Sequence, residues 1–294
     1  MRESTFATAT IHPEQSPSID LKQLERDIRA NGLELPDGID MVHVGRCLTD
    51  KRSVMGHIRQ KPFGYAGDYR IIDRIYTREE SVAFGPFDRW ALEQCASKAV
   101  RNRKEYIKSL LLELEVNRGK KVLNVACGPS RDLYEFLQEY PDSGARFTCV
   151  DMDQRALDFS SRLTHDHAEK IEFIHKNIFR YNTEQRFDVI WSAGLFDYFN
   201  DRAFVMLLER FRKWLKPGGV IVVGNFNADY NPSRGVMEIL GDWKLEHRSP
   251  SQLLDLAVAA GYTRLEARVE SEEEGVNLFL RLAPKITLNN ELLS

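Results

Sequence analysis

Asp151, Asp197, Tyr198 and His247 are the side chains of this sequence whose types and settings could do chemistry. Asp151 closes the apolar run Phe147-Thr148-Cys149-Val150. It follows by about 20 residues a stretch, Val122-Leu123-Asn124-Val125-Ala126-Cys127-Gly128-Pro129-Ser130-Arg131-Asp132, in which an apolar strand breaks at small residues and restarts as a helix. A helix opened in this way offers unpaired N–H groups to a ligand just past the strand. A carboxylate at the end of the next strand is then placed to accept the paired hydroxyls of a ribose, or else to cap the following helix. Asp197 and Tyr198 are the first polar groups after Phe187-Asp188-Val189-Ile190-Trp191 and its exit Ser192-Ala193-Gly194-Leu195-Phe196. They could share or take a proton at a nucleophile, or act as a helix cap and a packing residue. His247 could reach the same cavity as a base or serve in packing.

The elements that must position these groups alternate between strand and helix. After the strand at 122–125 come a helix at 131–140, the strand ending at Asp151, a helix at 154–163, a strand at 171–178, the strand at 187–191 and a helix at 204–215. Lys216-Pro217-Gly218-Gly219 reads as a turn before a fifth strand, 220–224. Ser249 caps a helix that Gly261 stops, and strands at 264–269 and 276–282 flank an acidic turn of Glu270, Glu272, Glu273 and Glu274. Such alternation gives a doubly wound, mostly parallel sheet, whose ligands bind at the carboxyl ends of the strands.

The loop and its downstream acid resemble motif I and the ribose acid of class I S-adenosylmethionine (SAM) methyltransferases. The resemblance spans about 120–284 and is carried by 122–129, Val150-Asp151-Met152-Asp153 and 187–194. It implies an α/β, Rossmann-like seven-stranded methyltransferase sheet and SAM as cofactor. By the same resemblance Ala126, Gly128 and Pro129 form the cofactor loop, Asp151 meets the ribose and Met152 packs on the adenine. Asn177, where the family often has an acid, and Ile178 border the adenine, while Ala193, Gly194 and Leu195 lie beside the reacting methyl. Arg131 could pair with the methionine carboxylate or sit on the surface. A nicotinamide reader would need a Gly-x-Gly-x-x-Gly turn, which is absent.

Ahead of this region, 1–18 reads as an arm without a motif and 19–30 as an amphipathic helix. His43, His57 and the pair His165 and His167 lack partners at metal-ligand spacing, so no metal site is expected. Lys61-Pro62-Phe63-Gly64-Tyr65-Ala66-Gly67-Asp68-Tyr69 should be an ordered loop rich in aromatics and glycine. Either Phe63, Tyr65 and Tyr69 dock the N-terminal part, or Tyr65, Asp68 and Tyr69 present polar tips to a ligand while Gly67 allows close approach. This segment, extended through Tyr76, is similar to one preceding the SAM domain in bacterial hydroxy-fatty-acid methyl ester signal synthases, which are carboxyl methyltransferases. The pattern at 87–116 predicts one long helix, with Arg101, Arg103, Lys104 and Lys108 on a mixed-sign, solvated face. The expected division is a helical cap or lid at 1–118 and the SAM domain at 119–294.

Composition narrows the function. Of 294 residues 29% are charged with a net charge of -3, and the pI is about 6.2, which disfavours nucleic acid as a partner. Four cysteines without a Cys-x-x-Cys pair, no apolar leader and no run long enough to span a membrane suggest a cytoplasmic protein. The expected function is methyl transfer from SAM to an oxygen, carboxylate or hydroxyl, of a small or amphiphilic acceptor. The alternatives are N-methylation of a secondary metabolite and a non-catalytic SAM-binding regulator, as a monomer or a homodimer.

Overall fold

The strands expected after residue 120 join into one seven-stranded sheet in the computed structural model, which describes residues 19–284. The expectation for 1–18 falls outside those residues. In chain order the strands and helices of this region are β1 (Lys121–Val125), α7 (Arg131–Glu139), β2 (Arg146–Asp151), α8 (Gln154–Leu163), β3 (Ile171–His175), β4 (Phe187–Ser192), α9 (Asp201–Trp214), β5 (Leu215–Phe226), α10 (Pro250–Ala259), β6 (Ala267–Ser271) and β7 (Asn277–Leu282). Before them, among the described residues, come the α-helices α1 (Leu21–Ala30), α2 (Met41–Thr49), α3 (Val54–Gln60), α4 (Tyr69–Thr77), α5 (Gly85–Leu92) and α6 (Cys95–Glu113).

Strand order is β3-β2-β1-β4-β5-β7-β6. The first five strands run parallel, and β7 is antiparallel to both β5 and β6. Chain order reverses between β1 and β4, so the crevice outside their carboxyl ends is the natural ligand site of such a sheet. Both faces are covered. Phe136, Leu137 and Phe147 pack with Ile107 and Leu110 of α6 on one side, and Phe204, Phe211, Leu253 and Leu280 fill the other. Two-sided burial explains why β4 reads as an almost unbroken apolar run.

Three elements differ from the sequence reading. The single helix expected at 87–116 is two, because Gln94 is extended between α5 and α6. At the break Ser97 Oγ donates to the Ala91 carbonyl (2.8 Å) and Arg101 Nη1 to the Leu92 carbonyl (2.7 Å), side-chain bonds that help to satisfy the end of α5. Lys216-Pro217-Gly218-Gly219 is an irregularity within β5 rather than a turn before it. Pairing with β4 moves from Phe187–Leu215 to Val189–Val220 across it, and Gly218 has φ +76°. Finally, the strand expected at 264–269 is Ala267–Ser271, and Glu272, in the acidic turn after it, is buried and accepts the N–H groups of Glu274, Val276 and Asn277.

Helices α1 to α5 share a core containing Leu24, Leu48, Ile71, Ile75 and Phe87, into which Phe226 at the end of β5 and Met237 and Trp243 after it also pack. The N-terminal helices are thus held against the carboxyl edge of the sheet by apolar burial. Among the described residues no helix is long and apolar enough to cross a membrane.

Candidate active site

The loop after β1 is held by β2. Ala126 N–H donates to Val150 O (2.7 Å), and Gly128 N–H donates to Asp151 Oδ2 (2.9 Å). Ala126, Gly128 and Ser130 all have positive φ, near 50°. A side chain at Gly128 would meet nothing within 4 Å, so the loop is open on its outer surface. The other oxygen of Asp151 accepts from Asp153 N–H (2.9 Å). Asp153, not Asp151, caps α8, by accepting from Arg155 N–H. Asp151 is therefore a buried carboxylate fixed by two backbone donors at the carboxyl end of β2, with burial raising its pKa.

Met152 next to it is exposed, and Ile178 is buried nearby in sequence to the β3 exit. Asn177 Oδ1 accepts from Phe179 N–H (2.9 Å), so its side-chain carbonyl organises its own turn. Pro129 completes the turn into α7. Arg131 is committed elsewhere: its guanidinium pairs with Asp73 of α4 (2.5 Å), which ties α7 to the N-terminal helices.

The exit of β4 is crowded. A Cβ at Gly224 would lie 2.1 Å from the Ala193 carbonyl, and one at Gly194 would lie 2.7 Å from Arg103 Nη1. Leu195 leads into a single turn, Phe196–Tyr198. Asp197 is buried and its Oδ1 accepts from Asn225 Nδ2 (2.8 Å) and Phe226 N–H (2.7 Å). Burial pushes its pKa up to about 7, against the pull of Arg103 and Arg248. Asn225 also accepts from Arg248 Nη1 (2.8 Å). Asp197 thus caps no helix; Asn200 caps α9.

Tyr198 keeps 43% of its surface accessible, although protein surrounds it closely enough to raise its pKa, as befits a side chain lining a cleft. Its hydroxyl accepts from Trp243 Nε1 (3.0 Å) and lies against Gly67, which leaves its own proton to donate. His247 has both ring nitrogens engaged. Nδ1 faces Leu245 O (3.1 Å) and Nε2 faces Asn231 Nδ2 (3.1 Å), an arrangement satisfied by the neutral ring protonated on Nδ1. Burial lowers its pKa, and the ring packs on Phe226. In this setting His247 is a packing residue and not a free base.

The loop at 61–69 lies across this edge. Tyr65 OH reaches towards Asp153 Oδ2 (3.4 Å), and burial together with Asp151 and Asp153 raises its pKa. Tyr69 packs at a tilt against Phe63 and against Phe159 of α8, with ring centroids 5.2 and 5.5 Å apart. Asp68 is fully buried: it caps α4 and binds His57 Nε2 (2.8 Å). The segment therefore divides its work, with Phe63 and Tyr69 docking, Asp68 holding the fold and Tyr65 facing the carboxylates at the end of β2.

Sequence reasoning missed Arg103. It is not on a solvated face: Arg101, Arg103 and Lys104 are all about nine-tenths buried. Its alignment with Ala96, Val100 and Ile107 on one stripe of α6 was the available signal.

Residues 122–219 match the family described as a methyltransferase domain. The chain carries a class I, SAM-dependent methyltransferase domain. Over 110 residues it is 26% identical to malonyl-(acyl-carrier protein) O-methyltransferase 2 of Ilyobacter polytropus, a match that covers 37% of this chain and 40% of that protein. The methyltransferase fold is shared with a possible exported protein from Bordetella parapertussis at a TM-score of 0.71 and 22% identity, over 90% of this chain and 96% of the other. It is shared also with magnesium protoporphyrin IX methyltransferase from Synechocystis with bound SAH, at a TM-score of 0.55 and 10% identity, over 79% of this chain and 100% of the other.

Proposed function

We propose that this protein transfers the methyl group of SAM to an oxygen, carboxylate or hydroxyl, of a small or amphiphilic organic acceptor. The observation that carries the reading is Asp151, a carboxylate set by Gly128 and Asp153 N–H groups beside an open loop, where it can accept both ribose hydroxyls. The donor set fits an adenosyl ligand: exposed Met152 offers an apolar face to the adenine, and Ala193 and Gly194 leave the β4 exit without bulky side chains. The O-methyltransferase name of the partial relative favours oxygen.

When bound, SAM supplies a methyl carbon activated by its sulfonium. The residues of this chain then have to align the acceptor and exclude water. Tyr65 and Gly67 bring the N-terminal region over the edge of the sheet, in keeping with a cap formed from residues 1–118. Tyr198, whose hydroxyl proton is uncommitted, can donate to an acceptor oxygen. A carboxylate acceptor is already ionised and needs no base. A hydroxyl acceptor would require one, a role for which the candidate is Asp197, buried at the β4 exit with its pKa pushed up to about 7 and its Oδ2 directed towards Gly194.

Calorimetry with SAH, the demethylated form of SAM, followed by transfer from radiolabelled SAM to a panel of carboxylic acids, alcohols and amines, tests this. Binding of SAH and label recovered in an ester or ether are expected. Absence of SAH binding removes the cofactor assignment, and label found only in amines removes the oxygen acceptor.

A further inference from the structure

We propose that Arg103 is the carboxylate-binding residue of the cleft, an assignment that rests on the methyl-transfer reading above. Arg103 sits in α6 within the apolar stripe formed by Ala96, Val100 and Ile107 and keeps only 5% of its surface. Its Nε has no hydrogen-bond partner. Arg74, Arg101, Lys104, Arg248 and Arg281, the other buried arginines and lysine among the described residues, each lie within ion-pair distance of a carboxylate. Arg103 has no such partner among those residues. The Tyr76 hydroxyl is a neutral hydrogen-bond partner of this guanidinium, but a buried guanidinium without a carboxylate at ion-pair distance costs folding free energy, which a ligand carboxylate would offset.

Its direction identifies the ligand's position. Nη1 comes within 2.7 Å of where a Cβ would stand on Gly194, the small residue at the β4 exit, and Asp197 Oδ2 is 3.7 Å from that same point. The guanidinium therefore faces the part of the cleft beyond the ribose-side carboxylate, and glycine at 194 leaves room for it. Arg131, the cation that sequence reasoning offers for such a role, is neutralised by Asp73. Burial raises the pKa of both Asp132 and Asp197, which weakens the negative charge around Arg103 and leaves a site suited to a monoanion. The planar fork of arginine matches a carboxylate in two-point contact.

Two carboxylates could occupy the position, the amino-acid carboxylate of SAM or that of the acceptor. Arg103→Met and Arg103→Lys distinguish them when titrated with SAH, with 5′-methylthioadenosine, which lacks the amino-acid part, and with octanoate added to the SAH complex. If the carboxylate belongs to SAM, Arg103→Met should weaken SAH by about 10- to 100-fold, the range for hydrogen bonds to charged groups, and leave 5′-methylthioadenosine within about twofold. If it belongs to the acceptor, both nucleosides should bind the variant as they bind the parent, and the octanoate-induced rise in Tm should vanish. Arg103→Lys, which keeps the charge without the fork, should fall between parent and Arg103→Met. Without ligand, Arg103→Met should unfold at the parent's temperature or above it, because an unpaired buried charge has been removed. A variant that binds SAH and responds to octanoate like the parent overturns the assignment, as does a lowered Tm with ligand binding unchanged. A parent that binds neither SAH nor 5′-methylthioadenosine would instead overturn the methyl-transfer reading itself.

Discussion

Gly67 lies so close to Tyr198 that a Cβ added to it would stand 2.7 Å from the tyrosine hydroxyl and 2.8 Å from Trp243. A loop of the N-terminal region, the β4 exit and the segment after β5 thus meet at one point. Gly67→Ala should force them apart. Overpacking of this kind costs about 1–3 kcal/mol, so denaturant unfolding should show a reduced midpoint, and SAH affinity should fall with it if the loop closes the cofactor site. Parent-like values for both would mean that the loop yields freely.

Asp151→Ala should weaken SAM binding by about 1.5–3 kcal/mol, the range for hydrogen bonds to charged groups. It also strips Gly128 and Asp153 of their acceptor. Asp151→Asn preserves one acceptor oxygen and should lose less. Calorimetry on both variants, with circular dichroism to confirm folding, separates ribose binding from loop support. Unaltered affinity in a folded Asp151→Ala protein would refute the ribose role.

Asp197 should make stability depend on pH. An ordinary aspartate, as in the unfolded chain, ionises near 3.8, and in the folded protein burial moves this to about 7. The native state holds the proton more tightly, so its stability falls as pH rises from about 4 to about 7 and the loss is complete above that. Asp197→Asn abolishes this titration while retaining an acceptor for Asn225 and Phe226. The Tm of the variant minus that of the parent should therefore increase from pH 4 to pH 8. A flat difference across that range would show that Asp197 is ionised throughout.

Asp68→Ala removes the cap of α4 and leaves buried His57 without its partner. Loss of a cap costs about 1 kcal/mol, and an unsatisfied buried group about 1–3 kcal/mol. A drop of about 2–4 kcal/mol in unfolding free energy is expected. Nucleoside binding measured well below the variant's Tm should change little, because Asp68 faces the fold and not the cleft; a selective loss of SAH affinity in a fully folded variant would place it at the site.

The sequence alone determined the sheet and the strand ends that carry the candidate cofactor residues. Strand periodicity and the small-residue break at 126–129 are local signals: β1, β2 and β4 in the middle of the sheet are buried along nearly their whole length, so their apolar runs show their nature without reference to any neighbour. Asp151 was legible for the same reason, since the end of a strand is visible in the chain. The tertiary structure decided which charges are free. Arg131 and Arg103 lie in equally ordinary helical contexts, yet Asp73 of a distant helix neutralises the first, while the second has no carboxylate at ion-pair distance among the described residues and its Nε has no hydrogen-bond partner. His247 reads as a candidate base until Asn231 and the Leu245 carbonyl occupy its ring nitrogens. Whether Tyr65 or Tyr69 faces the sheet edge depends on where α8 places Phe159. Ionisation, pairing and exposure are set by groups far apart in sequence, and only the fold brings them within reach of one another.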